Sequence, residues 1–151
     1  MKRYRFPLRS VAVIRTHHEM SAREAFAAAV QAFVRTEENL ARARRRVTDF
    51  ETLLAHGRRE KFSAALEAES LLAYRQETMA AADAERVMKA ARATMEQRRS
   101  EYIQAHHRLD VVERLEVRGR ERHRLETFRV EQAEFDDLSG RRTSRKSLTP
   151  L

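Results

Sequence analysis

Apolar or small residues recur along the first third of the chain at steps of three or four. The series passes from Val11 and Ile14 through His18, Ala22, Ala25, Ala29, Ala32 and Thr36 to Leu40, Ala43, Val47, Phe50 and Leu54. That period is helical and close to the heptad value. It predicts a helix over about residues 7–56 with one face against a partner. Pro7 suits the first turn, where a missing N–H costs nothing. A break is expected at about residues 57–61. Gly57, the only glycine in the first 118 residues, supplies a left-handed cap there. A second helix is predicted over about residues 62–139. Its seam runs through Phe62, Leu66, Leu72, Met79, Val87, Ala91, Met95, Arg98, Tyr102, Ala105, Leu109 and Val112. Beyond Val112 the stripe thins to Leu115, Leu125, Phe128 and Phe135. Gly119 falls inside this helix, where it costs about 1 kcal/mol relative to alanine, and reads as a weak point. Gly140 reads as the helix end, leaving residues 141–151 as a basic disordered tail.

A short connection makes consecutive helices antiparallel neighbours. The predicted fold is therefore all-α: a long antiparallel two-helix coiled-coil hairpin with a C-terminal helix overhang. A turn centred near residue 59 would set Ala25–Ala32 opposite Ala90, Ala91 and Ala93, small residues facing small. The first helix starts near residue 7, so its partner would be covered to about residue 112. Residues 113–138 would then overhang, with Leu115, Leu125, Phe128, Phe135 and Leu138 lacking an internal partner.

Composition narrows the class further. There are 3 glycines and 2 prolines in 151 residues, and the stretch from Leu8 to Thr149 holds no proline. All-β and doubly wound α/β folds need turns far more often than that. Apolar residues make up 42%, too many for a disordered chain. The formal net charge of +8 is not spread evenly. Residues 1–10 carry Lys2, Arg3, Arg5 and Arg9 and no acid, and residues 141–151 carry Arg141, Arg142, Arg145 and Lys146 and no acid. Between them 23 basic and 23 acidic side chains balance. The body is neutral and both ends are basic. With no cysteine, disulfide frameworks and thiolate metal sites are excluded. No apolar run is long enough to span a bilayer, and Val11–Ile14 is too short for a signal-peptide core, so a soluble, non-secreted protein is expected.

No catalytic signature is present: no glycine-rich phosphate loop, nucleophile elbow or HExxH. The chain reads as a non-enzyme without cofactors. His17–His18 and His106–His107, with Asp110, would share a level of the hairpin, but adjacent helical residues point apart, which argues against a metal site. The clusters Arg42–Arg46 and Arg114–Arg124 offer an alternative reading, a basic coiled coil that binds nucleic acid. The interleaved acids of the second cluster and the neutral body argue against it. Around the turn, Phe50, Leu53, Leu54 and Phe62, then Leu66, Leu71, Leu72 and Tyr74, form either ordinary tip packing or a knob for a partner.

Two stretches carry a family resemblance. The opening Tyr4-Arg-Phe-Pro-Leu-Arg-Ser-Val-Ala-Val-Ile-Arg15 resembles the start of the FliJ family, the small coiled-coil proteins of the flagellar type III export apparatus. The closing Glu131-Gln-Ala-Glu-Phe-Asp-Asp-Leu-Ser-Gly-Arg-Arg142, an acidic pair and a leucine before a basic tail, is similar to that family's end. The resemblance implies a non-catalytic stalk, like the rotor stalk of F-type ATPases. One end would insert into the hexameric export ATPase ring, and the tip would reach the cytoplasmic domain of the membrane export gate. It also implies export chaperones as partners and a cytoplasmic location, peripheral to the inner membrane at the flagellar base. The equivalent stalk of a virulence secretion system is a close variant. Mapped here, the ring contacts would be Arg3, Arg5, Phe6, Leu8 and Val11 from the N-terminal end. From the second helix they would be Leu125, Phe128, Phe135, Asp136, Asp137 and Leu138. The gate contacts would be Phe50, Leu54, Leu71, Leu72 and Tyr74, a mapping by position in the hairpin.

Overall fold

The computed structural model describes residues 3–60 and 63–146, with side-chain surroundings given up to Arg141. The fold is a helical hairpin of two long helices, α1 (Arg9–Arg59) and α2 (Ala64–Lys146). It contains two compact units, residues 19–105 and residues 3–18 with 106–146.

The 19–105 unit is a pair of antiparallel arms. On α1 the inward face runs through Ala22, Phe33 and Thr36 to Leu40, Ala43, Val47, Phe50 and Leu54. Leu40 and Ala43 are only 5% and 2% exposed. From Ala22 onward this is the predicted seam, except that Phe33 takes the place of Ala32, which is exposed. The facing side of α2 is less as expected. Ser70, Ala73, Glu77, Ala81, Ala84 and Met88 turn inward, whereas Leu66, Leu72, Met79 and Val87 are exposed. The small residues lie where the arms approach; the long aliphatic ones lie outside. From Ala91 through Met95, Tyr102 and Ala105 the predicted α2 seam holds, except that Arg98 is exposed.

The turn also differs from expectation. Gly57 does not end α1; it is buried inside the helix. The break lies between Arg59 and Ala64, and Phe62, expected in the seam, is outside the described residues. Ser63 caps α2, its Oγ accepting from the Leu66 N–H at 3.3 Å. A hydroxyl there satisfies one of the free donors at a helix start. His56, Arg58 and Arg59 in the last turn of α1, and Glu67 in the first turn of α2, match the helix dipoles. Arg58 also reaches across to Glu67 at 3.0 Å.

The later turn moves the register. Phe26 stacks on Tyr102 with ring centroids 6.1 Å apart, Arg46 pairs with Glu77 at 2.7 Å, and the Tyr74 hydroxyl donates to Glu51 at 3.1 Å. Arg44 meets Glu85 at 3.6 Å. Each α1 residue faces a position on α2 more than one helical turn beyond the expected one. The predicted opposition of Ala25–Ala32 with Ala90–Ala93 is therefore replaced by contacts further along α2.

In the other unit α1 presents Ala12 and Arg15 inward, while Val11, Val13 and Ile14 are exposed. The predicted seam slips by one position here. Val112 on α2 is buried. Before α1, residues 3–8 run without helix. Leu8 accepts from the Ala12 N–H at 2.9 Å, and Phe6 from the Arg9 N–H at 3.3 Å. This segment carries coverage of α2 to His123 rather than ending near residue 112. Gly140 does not stop α2, which continues to Lys146. The rest of the expected tail, residues 147–151, is outside the described residues.

Candidate functional site

The N-terminal segment is held on α2 by one aromatic residue. The Tyr4 ring packs against His123, with centroids 5.5 Å apart and planes tilted by 58°. Its hydroxyl occupies the space above Gly119. A Cβ at that position would overlap the hydroxyl and come to 3.1 Å from Cζ. Gly119, read from sequence as a weak point, is a socket. An interior glycine with no turn to make is a signal for close approach by another group. No periodic cue in the sequence pairs Tyr4 with His123 or points to this use of Gly119.

Beside the socket is an open hollow of about 990 Å³. Arg3, Arg5 and Phe6 line it, as do Arg9, Glu116 and Arg120. Three predicted ring-contact residues thus come together, and four residues not predicted, Tyr4 among them, join them. Glu116 accepts from Arg120 at 2.5 Å. Arg3, Arg5 and Arg9 make no ion pair among the described residues. Leu8, at the end of the segment, and Val11, in the first turn of α1, were also predicted and are exposed.

Further along α2, Leu125, Phe128, Phe135 and Leu138 fall on one side of the helix at steps of three and seven. Phe128 is 63% and Phe135 70% exposed. Asp136 and Asp137 are exposed beside them; Asp136 accepts from Gln132 at 3.4 Å. These six predicted positions share one stretch of α2, which begins five residues beyond Arg120 of the hollow. Phenylalanines exposed together on one helix face are unusual for a monomer surface.

The tip candidates separate by burial. Leu71 and Leu72 are exposed, as is Leu53, whereas Phe50 and Tyr74 are half-buried. Leu54 is 7% exposed and belongs to the packing between the arms. It supports the tip from beneath and presents no face to a partner.

The arginine clusters are partly neutralised. Arg44 and Arg46 pair with acids on α2, Arg42 donates to Asn39 at 2.6 Å, and Arg114 meets Asp110 at 2.8 Å. Two carboxylates are held below their ordinary value of 4.5. Glu85 is lowered chiefly by a hydrogen bond from Lys89, with Lys89 and Arg44 charge adding. Glu101 is lowered chiefly by a hydrogen bond from Arg98, then one from Gln97. Among the described residues no three His, Asp or Glu side chains converge as metal ligands. No described helix is long and apolar enough to cross a membrane.

The family model described as "Flagellar FliJ protein" matches residues 4–148. The chain belongs to the FliJ family. No curated protein and no solved structure matches it. Membership makes it a flagellar export-related coiled-coil protein, from a non-catalytic structural and adaptor family. The match begins at Tyr4, the residue that seats the N-terminal segment, and runs past the exposed Phe128–Leu138 stripe. Both features lie inside the family's span.

Proposed function

We propose that this FliJ-family chain is a non-catalytic stalk and adaptor of the flagellar type III export apparatus. The unit holding residues 3–18 and 106–146 inserts into the hexameric export ATPase ring. It does so through Arg3, Arg5, Phe6, Leu8 and Val11, and through the stripe of Leu125, Phe128, Phe135 and Leu138 flanked by Asp136 and Asp137. The tip of the 19–105 unit meets the cytoplasmic domain of the export gate through Leu71 and Leu72, with Phe50 and Tyr74 at their side and Leu54 beneath. Export chaperones are further partners. The protein acts in the cytoplasm, associated peripherally with the inner membrane at the flagellar base.

The observation that carries this reading is the exposed aromatic stripe on α2. Burying two phenylalanines that face water contributes about 1.5–3 kcal/mol each to a complex. Aromatic anchors of this kind dominate binding at interface centres. The basic segment 3–9 adds charge that suits an acidic rim and speeds encounter. The test is capture of the purified export ATPase by the tagged chain. Phe128→Ala/Phe135→Ala should abolish capture and leave gate binding intact, while Leu71→Asp/Leu72→Asp should do the reverse. Equal ATPase capture by the phenylalanine variant and the parent would sink the ring assignment.

A further inference from the structure

We propose that the hollow between residues 3–9 and α2 is a built site for a phosphate-bearing polyanion. This goes beyond the stalk reading and does not depend on it. The argument begins with Tyr4. Its hydroxyl end fills the space above Gly119 and its ring lies on His123. That fixes Arg3 and Arg5, its two neighbours, over the helix. Arg9 follows at the start of α1, and Arg120 rises from α2 next to the socket. Four guanidinium groups from two remote parts of the sequence therefore line one hollow of about 990 Å³. Small-molecule sites span roughly 300–1,000 Å³.

Charge then selects the ligand. Glu116 is the single acid in the lining and is already engaged by Arg120. Arg3, Arg5 and Arg9 are left as surplus. The first turn of α1 carries no acidic residue, so its positive dipole end adds to theirs. Guanidinium forks bind phosphate oxygens in pairs, which a lysine cannot do. An acidic peptide offers at most one carboxylate per residue, pointing to alternating sides when extended. A phosphoryl group brings up to about two charges on one centre. Three unpaired arginines converging on one hollow fit the second better. The shared chemistry is a phosphate or oligophosphate, either free or as a lipid headgroup.

The experiment uses the full chain in two arms. Sodium tripolyphosphate is titrated by calorimetry. Phosphatidylcholine vesicles, with and without phosphatidic acid, are used in flotation. Saturable tripolyphosphate binding supports a free ligand; flotation only with phosphatidic acid supports a headgroup. In whichever arm binds, Arg5→Ala/Arg9→Ala should weaken it about tenfold or more, since each loses a charge-assisted hydrogen bond. The sharper variant is Gly119→Ala. It removes no charge and improves the helix, yet evicts Tyr4, so binding should fall severalfold while circular dichroism keeps its helix signal. Tyr4→Ala should match it. Arg142→Gln/Arg145→Gln/Lys146→Gln, which removes three of the four C-terminal charges, should change nothing. No binding in either arm, binding unaffected by Gly119→Ala and Tyr4→Ala, or binding lost with the C-terminal charges would each overturn the site.

Discussion

The two units use the same residue types in opposite ways. In the 19–105 unit, small and apolar side chains face the opposite arm, and arginines reach across to Glu77, Glu85 and Glu67. In the other unit, the largest apolar side chains of α2 beyond residue 124 face water, and contact with α2 is made by a non-helical segment pinned at one tyrosine. The difference teaches that helical period alone does not say what a stripe is for. The Leu40–Leu54 stripe is consumed by folding. The Leu125–Leu138 stripe, with similar spacing, is left over for something else.

That contrast can be broken most forcefully at its packed side. Leu40→Ala should cost about 2–4 kcal/mol, because a 5%-exposed leucine loses both transfer energy and its partners. Urea unfolding followed by circular dichroism measures it. Ala43→Leu should cost about 1–3 kcal/mol by the same assay, because a 2%-exposed alanine leaves no room for an isobutyl group. On the other side, Phe128→Ala/Phe135→Ala should shift stability by no more than about 0.5 kcal/mol, as exposed substitutions do. A destabilisation as large as that of Leu40→Ala would mean the stripe is packed in solution and the contrast false. Arg46→Ala should cost at most about 1 kcal/mol, the ceiling for a pair so open to solvent, and less at high salt. The smallest effect is that of pH. Glu85 and Glu101 have lowered values in the fold, so their contribution is present above the ordinary 4.5 and is lost as pH falls through the lowered folded values. Glu85→Gln/Glu101→Gln should lower stability slightly at neutral pH, where the charged forms contribute, and converge with the parent in acid, flattening the acid limb of the profile.

The helices and their pairing were legible because period and the dearth of turn residues admit little else. The register was not. Gly57 attracted the turn, since glycine is the usual cap, yet buried in a seam the same absence of a side chain serves packing. The better signal was Ser63, a hydroxyl just ahead of Ala64 and the first turn with Glu67. On α2 the sequence reading favoured Leu66, Leu72, Met79 and Val87 over Ser70, Ala73, Ala81 and Ala84. With Leu40, Val47, Phe50 and Leu54 filling the seam from α1, mostly small residues turn inward on α2 and its long aliphatic ones are left at the margin. Of the candidate site, the exposed Phe128–Leu138 stripe was visible as apolar residues with no partner. The Tyr4 socket was not, because it joins residues far apart in sequence through a glycine whose meaning depends on what lies above it.

Gly140 has a practical use for the experimentalist. It lies inside α2, and a side chain added there would meet open space. The chain contains no cysteine. Gly140→Cys would therefore create a unique thiol, close to the phenylalanine stripe and outside it, on a helix that gains propensity from the exchange. A spin label or fluorophore attached there would report each docking event from within a turn or two of the surface, with no background labelling to subtract.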